Sequence, residues 1–453
     1  MVAKWMVFVL FFLAGKSVQA QTAGDRLKSA IVGETKIVTP VIQIPEKRKK
    51  PRSLKNPKRE IKNDKFRQNL VEKLKPEAKP APLEEKKLFD WEILYKYQWL
   101  RNMHAGNQIG NTELSNLDIK SEVNLDQFSW GRGLKGFVNG MGNYGSSLSE
   151  KVGDTQVTSN IEAPSMFFLY QAWVEKTVLD DMFSVLVGLQ EVNSEFYVTD
   201  TSVLFLNSSF GIGTEMAAAG ANGPSTFPYT SVGARAKIDL PNHVYALWGV
   251  YDGVSGDPNH LTSNKIRWDS SDGLLMISEV GTTSPIKEGE KAPEVFSKFG
   301  VGVWGFTQSF DPIDSESGAT AQGNYGLYAI FDKTTSAQFS YFIRAGYANK
   351  EVNSVMLNTA FGINYRSPFA AREEDIFGLG VTDVVFSPGH RVAEERDNAI
   401  RMGNRETVVE ATYRISIWQD VAIQPNYQLV IHPSGNKDLG TAHVAGVHVE
   451  IGM

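Results

Sequence analysis

Trp91-Glu-Ile-Leu-Tyr-Lys-Tyr-Gln-Trp99 carries a large apolar or aromatic side chain at every odd position: Trp91, Ile93, Tyr95, Tyr97 and Trp99. Between them lie Glu92, Leu94, Lys96 and Gln98. A period of two is the signature of a strand, because successive side chains leave opposite faces of a pleated backbone. The same period returns in Leu117–Asp126, where Leu117, Ile119, Val123 and Leu125 alternate with Asp118, Lys120, Glu122, Asn124 and Asp126. It recurs at Val232–Asp239, at Val408–Ser416 and at Val421–Ile431, the last alternating Gln424, Asn426 and Gln428 with Ile423, Tyr427, Leu429 and Ile431. Each such run has one greasy face and one wet face.

Two all-β architectures accept that pattern. A soluble sandwich is built from short strands and rarely needs a unit as long as 88–453. A transmembrane antiparallel up-and-down β-barrel needs strands of about ten residues, apolar outside and polar inside, with aromatic girdles at both interfaces. At roughly 20–25 residues per strand and connection, 88–453 supplies about 15–18 strands, and closure favours an even count. Sixteen strands are therefore expected, with 18 as the alternative. Leu240-Pro-Asn-His243, Asp252-Gly253, Asp272-Gly273 and Pro433-Ser-Gly435 supply turns, and residues 256–260 and 281–294 read as longer surface loops. Val447, Val449, Ile451 and Met453 extend an apolar stripe to the last residue, where outer-membrane barrels commonly carry an aromatic and this chain carries Met453.

Composition narrows the chemistry. The 453 residues include 40 Gly, 25 Phe and 15 Tyr but no Cys, which excludes disulfides, thiol nucleophiles and cysteine-bound metal. The seven His are scattered without an HExxH or paired metal spacing, so no metal and no cofactor is expected. Lys4, the apolar run Trp5–Ala14 and Val18-Gln19-Ala20 read as a signal peptide over 1–20, which places the protein in a bacterial envelope. A short buried helix is the competing reading of that run.

Charge divides the remainder. Residues 21–87 hold 19 Lys+Arg against 9 Asp+Glu, seven prolines and a single aromatic, Phe66, whereas 88–453 hold 25 basic against 42 acidic residues. The 21–87 segment is expected to be a mostly disordered basic arm, because it has too little apolar surface to offset chain entropy. A short helix is expected at 63–75, where Phe66, Leu70, Val71 and Leu74 share a face and Pro76 ends the pattern. The basic run at 46–62 suits anionic cell-wall polymer or lipid headgroups, or simply an extended spacer; in an exported chain nucleic acid is not expected.

Gly188-Leu-Gln-Glu-Val-Asn-Ser-Glu-Phe-Tyr-Val-Thr-Asp-Thr-Ser-Val-Leu-Phe-Leu-Asn-Ser-Ser-Phe-Gly-Ile-Gly213 resembles the carbohydrate-selective porin family of the OprB type. Phe227–Arg235, Trp248–Pro258, Glu406–Tyr413 and Ile423–Pro433 are similar to further family segments, so the resemblance covers about residues 88–453. It implies a 16-stranded barrel in the bacterial cell outer membrane, monomeric or trimeric in outer-membrane lipid, that passes sugars such as glucose down their gradient.

A sugar carries no net charge, so its selection needs a constriction of near-sugar width, hydrogen-bonding groups that replace water, and ring faces for stacking. Paired charges give strong hydrogen bonds without a large net field. From the resembling block and its neighbours the pore candidates are Glu191, Asn193, Glu195 and Asp200, at the end of a strand-like run, and Asn207 in the following Gly/Ser-containing stretch, which is expected to fold inward. Arg235 on a polar strand face, Glu410 with Arg414, and Gln424 with Gln428 complete the polar set. Trp248 and Tyr251 are candidates for stacking on a sugar, with the lipid-interface girdle as the other place for Trp248. For the polar groups the plainer alternatives are ordinary lumen lining and a network that fixes the inward loop.

Three other functions compete. A barrel hydrolase would need a triad, and Ser434 beside His432-Pro433 is the nearest approach to one. A structural barrel tethered to the cell wall by the basic arm is compatible with a channel. A general-diffusion porin without sugar preference is separated from the sugar channel only by the resemblance.

Overall fold

The computed structural model describes residues 88–453 apart from 127, 129, 263–265, 267, 285–295 and 315–321. The signal peptide, the basic arm and the expected helix at 63–75 lie outside the described residues. Sixteen strands follow one another: β1 (Phe89–His104), β2 (Gly110–Asn124), β3 (Leu134–Gly145), β4 (Met166–Val178), β5 (Phe183–Gln190), β6 (Ser231–Leu240), β7 (Val244–Asp252) and β8 (Leu274–Thr283). The second half comprises β9 (Phe296–Phe310), β10 (Gln322–Thr334), β11 (Phe339–Ala348), β12 (Val355–Arg366), β13 (Ile376–Phe386), β14 (Arg405–Trp418), β15 (Val421–Ile431) and β16 (Ala442–Gly452). Every strand pairs antiparallel with its sequence neighbours, and β1 closes on β16 from Leu94↔Gly452 to Asn102↔Val444. The result is the expected closed 16-stranded barrel, which leaves no open sheet edge.

The alternation of the sequence becomes inside and outside. Val301, Val303, Leu327, Ile343, Phe361 and Val381 stand exposed on the outer surface. Strands of 8 to 16 residues bracket the roughly 9–11 that a tilted strand needs to cross a bilayer. Exposed aromatics ring the two ends: Trp91, Tyr365 and Phe377 at one, Tyr144, Phe167 and Tyr325 at the other. Among the described residues no helix is long and apolar enough to cross a membrane.

The two ends differ in their connections. At the end bearing Phe89 and Gly452, short turns such as 179–182, 241–243, 335–338 and 419–420 join the strands. At the other end the connections 146–165, 191–230, 253–273 and 387–404 are long, and hold the short helices α1 (Ser149–Val152), α2 (Thr214–Ala217) and α3 (Pro388–Asp397). In membrane barrels short turns face the periplasm and long loops the exterior.

Candidate functional site

The loops 146–165 and 191–230 fold into the barrel, and the wall residues that receive them explain why. In β7–β11 the inward positions are apolar: Tyr245, Leu247, Tyr251, Leu275, Ile277, Trp304, Tyr328 and Ile330. Val192, Phe196, Tyr197, Ile212 and Met216 of the long loop pack against them as one core. Farther round, Phe205 and Phe210 pack on Phe342 and Ala360. Burying a side chain of that size is worth about 1.5–3 kcal/mol each, so the apolar half of the inner wall holds the loop by area alone.

Isolated polar residues in the wall then fix its position. Glu410 accepts hydrogen bonds from the backbone N–H of Leu206 (2.7 Å) and Asn207 (2.9 Å) and from Asn426 Nδ2 (2.6 Å). Glu406 does the same for the N–H groups of Thr155 (2.9 Å) and Gln156 (2.8 Å) in the shorter loop. Asp332 accepts from the Thr201 N–H at 2.9 Å, and Arg344 donates to the carbonyls of Ser209 and Gly211. Glu279 takes the Tyr197 N–H at 2.9 Å and the hydroxyls of Tyr245 and Tyr328, both at 2.7 Å. That contact holds Tyr197 at φ 63°, a left-handed conformation rare for a bulky residue, with its ring stacked 4.0 Å from Tyr328. Each buried carboxylate thus satisfies loop backbone that the low-dielectric interior would otherwise leave unpaired.

The loops also pair with each other. Asn160 N–H donates to the Leu206 carbonyl at 2.7 Å, and Ser208 N–H to that of Val157 at 2.9 Å. Asn207 Nδ2 donates to the Gln156 carbonyl at 2.6 Å and to Gln428 Oε1 at 3.3 Å. Together they make a layer inside the barrel. On its short-turn side lies a cavity of about 970 Å³ whose polar lining includes Lys96, Asp200, Arg366, Glu374, Arg414 and Glu450. On the other side a cavity of about 440 Å³ is lined by Asp154, Thr155, His390, Glu394 and Ser434.

The inner wall of β1–β6 near the short turns has another character. Its inward positions are charged, and the charges are paired: Lys120–Glu92 at 3.1 Å, Lys135–Glu122 at 2.9 Å, Lys237–Asp239 at 3.0 Å and Lys96–Asp118 at 3.6 Å. Arg235 joins three elements here. It donates to Glu175 of β4 at 2.9 Å, to Ser184 of β5 at 2.6 Å, and through Nε at 2.8 Å to Glu195 of the long loop.

The sequence-derived candidates are spread through the barrel. Glu195 and Arg235 meet in that charged strip, and Asp200, Arg414 and Gln424 line the larger cavity. Arg414 is paired with Glu450 at 2.9 Å. Glu191 accepts from Thr226 Oγ1 and the Phe227 N–H, and Asn193 donates to the carbonyls of Phe196 and Gly211, so these two tie the long loop to itself. Asn207, Glu410 and Gln428 are fully buried in the joint between both loops and the wall, and Gln424 adds a hydrogen bond to the Leu204 carbonyl at 2.7 Å. Tyr251 is buried under Phe196, while Trp248 stands on the outward face of β7, away from the lumen. Sequence reasoning missed Glu279, Asp332, Arg344, Glu406 and Gln156. The available signal was a lone charge at an inward position of an otherwise apolar strand, as in Leu274-Leu-Met-Ile-Ser-Glu-Val280 and Phe342-Ile-Arg-Ala345.

The family model for carbohydrate-selective porins, OprB family, matches residues 110–453. No curated protein matches the sequence. Among solved structures, the chain is similar to the high-pH structure of Pseudomonas putida OprB, with a TM-score of 0.71 at 16% identity over 86% of this chain and 96% of that one. The low-pH structure of the same protein aligns with a TM-score of 0.51 at 13% identity over the same shares. The inward loops, the charge-paired lumen and the family match converge: the chain belongs to the OprB family of carbohydrate-selective porins and is a channel of the bacterial outer membrane.

Proposed function

We propose that this channel passes neutral sugars of the glucose type by passive diffusion, and selects them in the passage between the long inward loop and the polar half of the wall. The observation that carries this reading is the charge pairing along β1–β6. Cations and anions stand in contact from Glu92 to Asp239, so a permeant meets dense hydrogen-bonding capacity and little net field. A neutral polyhydroxyl solute exchanges its water for those groups, whereas an ion of either sign gains little. Glu195, partly exposed while its carboxylate is held by the buried Arg235, is the group offered to it where the loop meets the wall. Binding at such a place has to stay weak, because a tight site would block conduction.

The test is single-channel conductance of the refolded protein in a planar bilayer, titrated with glucose and with an ion-matched non-sugar solute. The expected result is a conductance that falls saturably with glucose and not with the control. Conductance indifferent to glucose would leave a general-diffusion porin.

A further inference from the structure

Two strands along the lumen from Arg235, an aromatic pair breaks the charged wall. Phe137 of β3 and Trp173 of β4 are register partners on the inward face, their rings stacked with centroids 5.0 Å apart and planes 22° from parallel. Both are half-buried. The residue paired with Trp173 on its other side is Gly188, and the partner of Gly188 on β6 is Gly233. Gly188 therefore adds no side chain beside the indole, whereas Gly233 lies under the Tyr251 ring, which a Cβ there would meet at 2.5 Å. Gly188 cannot readily be replaced: its φ is +147°, and a Cβ would come within 2.3 Å of the Ala172 carbonyl oxygen. One inward step along β4 from Trp173 is Glu175, which shares Arg235 with Glu195.

We infer that Trp173, stacked on Phe137 beside Gly188, is a binding platform for the apolar face of a pyranose, whose hydroxyls reach the Glu175 carboxylate that Arg235 holds in place. The inference rests on the sugar-channel reading and adds a place to it. A pyranose presents axial C–H bonds on one face and equatorial hydroxyls at its edge. The C–H face suits the negatively polarised face of an indole, and the hydroxyl edge suits a carboxylate–guanidinium pair. An acyclic polyol has the hydroxyls but no rigid face, and a small ion has neither. Phe137 covers one side of the indole and fixes its rotamer, and the register partner on the other side, Gly188, adds no side chain. Glu175, two residues along β4, supplies the polar edge where Arg235 joins it to Glu195 of the loop.

The experiment compares glucose and sorbitol as blockers of single-channel conductance in the full-length protein and in the variants Trp173→Ala, Trp173→Phe and Trp248→Ala. The native channel is expected to show saturable block by glucose at lower concentration than by sorbitol. In Trp173→Ala the half-blocking glucose concentration rises about tenfold, equivalent to roughly 1.4 kcal/mol, and the preference over sorbitol disappears. Trp173→Phe keeps most of the block, and Trp248→Ala, on the outer face, keeps all of it. Saturable glucose block that survives unchanged in Trp173→Ala overturns the platform and leaves the sugar channel standing. Absence of saturable block in the native channel overturns both. If Trp173→Ala does not insert, unchanged sugar selectivity in Phe137→Ala combined with Trp173→Phe overturns the platform instead.

Discussion

Replacing Glu410 by Ala detaches the long loop from the wall while leaving the barrel closed. The carboxylate is fully buried and accepts three hydrogen bonds, two of them from the adjacent N–H groups of Leu206 and Asn207. Without it those donors have no acceptor in a site closed over by Asn207, Gln156 and Gln428. An unsatisfied buried donor costs about 1–3 kcal/mol, so the docked state of residues 204–208 loses roughly 3 kcal/mol after water enters. The strands lose nothing comparable, since β14 keeps its ladders to β13 and β15. Hydrogen exchange followed by mass spectrometry reads the difference: peptides covering 204–208 are expected to exchange about a hundredfold faster, and β14 peptides at the native rate. Unchanged exchange at 204–208 refutes the claim that wall carboxylates position the loop.

Three further outcomes follow from the same geometry. Arg235→Ala leaves Glu175 and Glu195 without their shared cation, so the zero-current potential across a KCl gradient shifts toward cation preference; an unmoved potential removes the triad from the ion path. Gly346→Val drives a side chain into Glu215 and Tyr197, because a Cβ at Gly346 already meets the Tyr197 hydroxyl oxygen at 2.4 Å; α2 is displaced, and limited proteolysis cuts within 191–230 in the variant but not in the native channel. At the short-turn end, the Arg372 guanidinium holds the Asp375 carboxyl below the usual carboxylate range, with support from the Tyr413 hydroxyl and the Ser416 N–H. A depressed folded value stabilises above the unfolded aspartate value of about 3.9 and is lost as pH falls through the lower one. Protection of the Ser416 amide, measured against its intrinsic exchange rate, therefore falls as pH drops below the usual aspartate value of about 3.9 and is already low at neutral pH in Asp375→Ala.

The barrel was legible because alternation survives wherever one face meets lipid and the other meets water. Val421–Ile431 shows it most clearly, with Gln424, Asn426 and Gln428 inward and Ile423 and Tyr427 outward. Alternation fails as a guide where both faces are apolar. In β7, Tyr245, Leu247 and Tyr251 face a loop while Trp248 faces outward, and nothing local distinguishes the two sides. Arg235, Glu410, Arg414, Gln424 and Gln428 lie at inward strand positions, but their partners were hidden in the sequence. Glu410 meets Leu206 across 204 positions of sequence and Thr155 meets Glu406 across 251. Only the closed barrel sets those distances, so Asn207 and Gln428, read in the sequence as pore candidates, stand in the structure as the joint between loop and wall.

The central claim is that the passage beside the inward loop contains a place where sugar binds on its way through. Flux of labelled glucose into liposomes carrying the full-length protein, measured against external glucose concentration, tests it most directly. The account predicts a flux that saturates and that is slowed by a second pyranose but not by sorbitol. A flux strictly proportional to concentration and indifferent to competing sugars would contradict it and leave a water-filled pore without a sugar site.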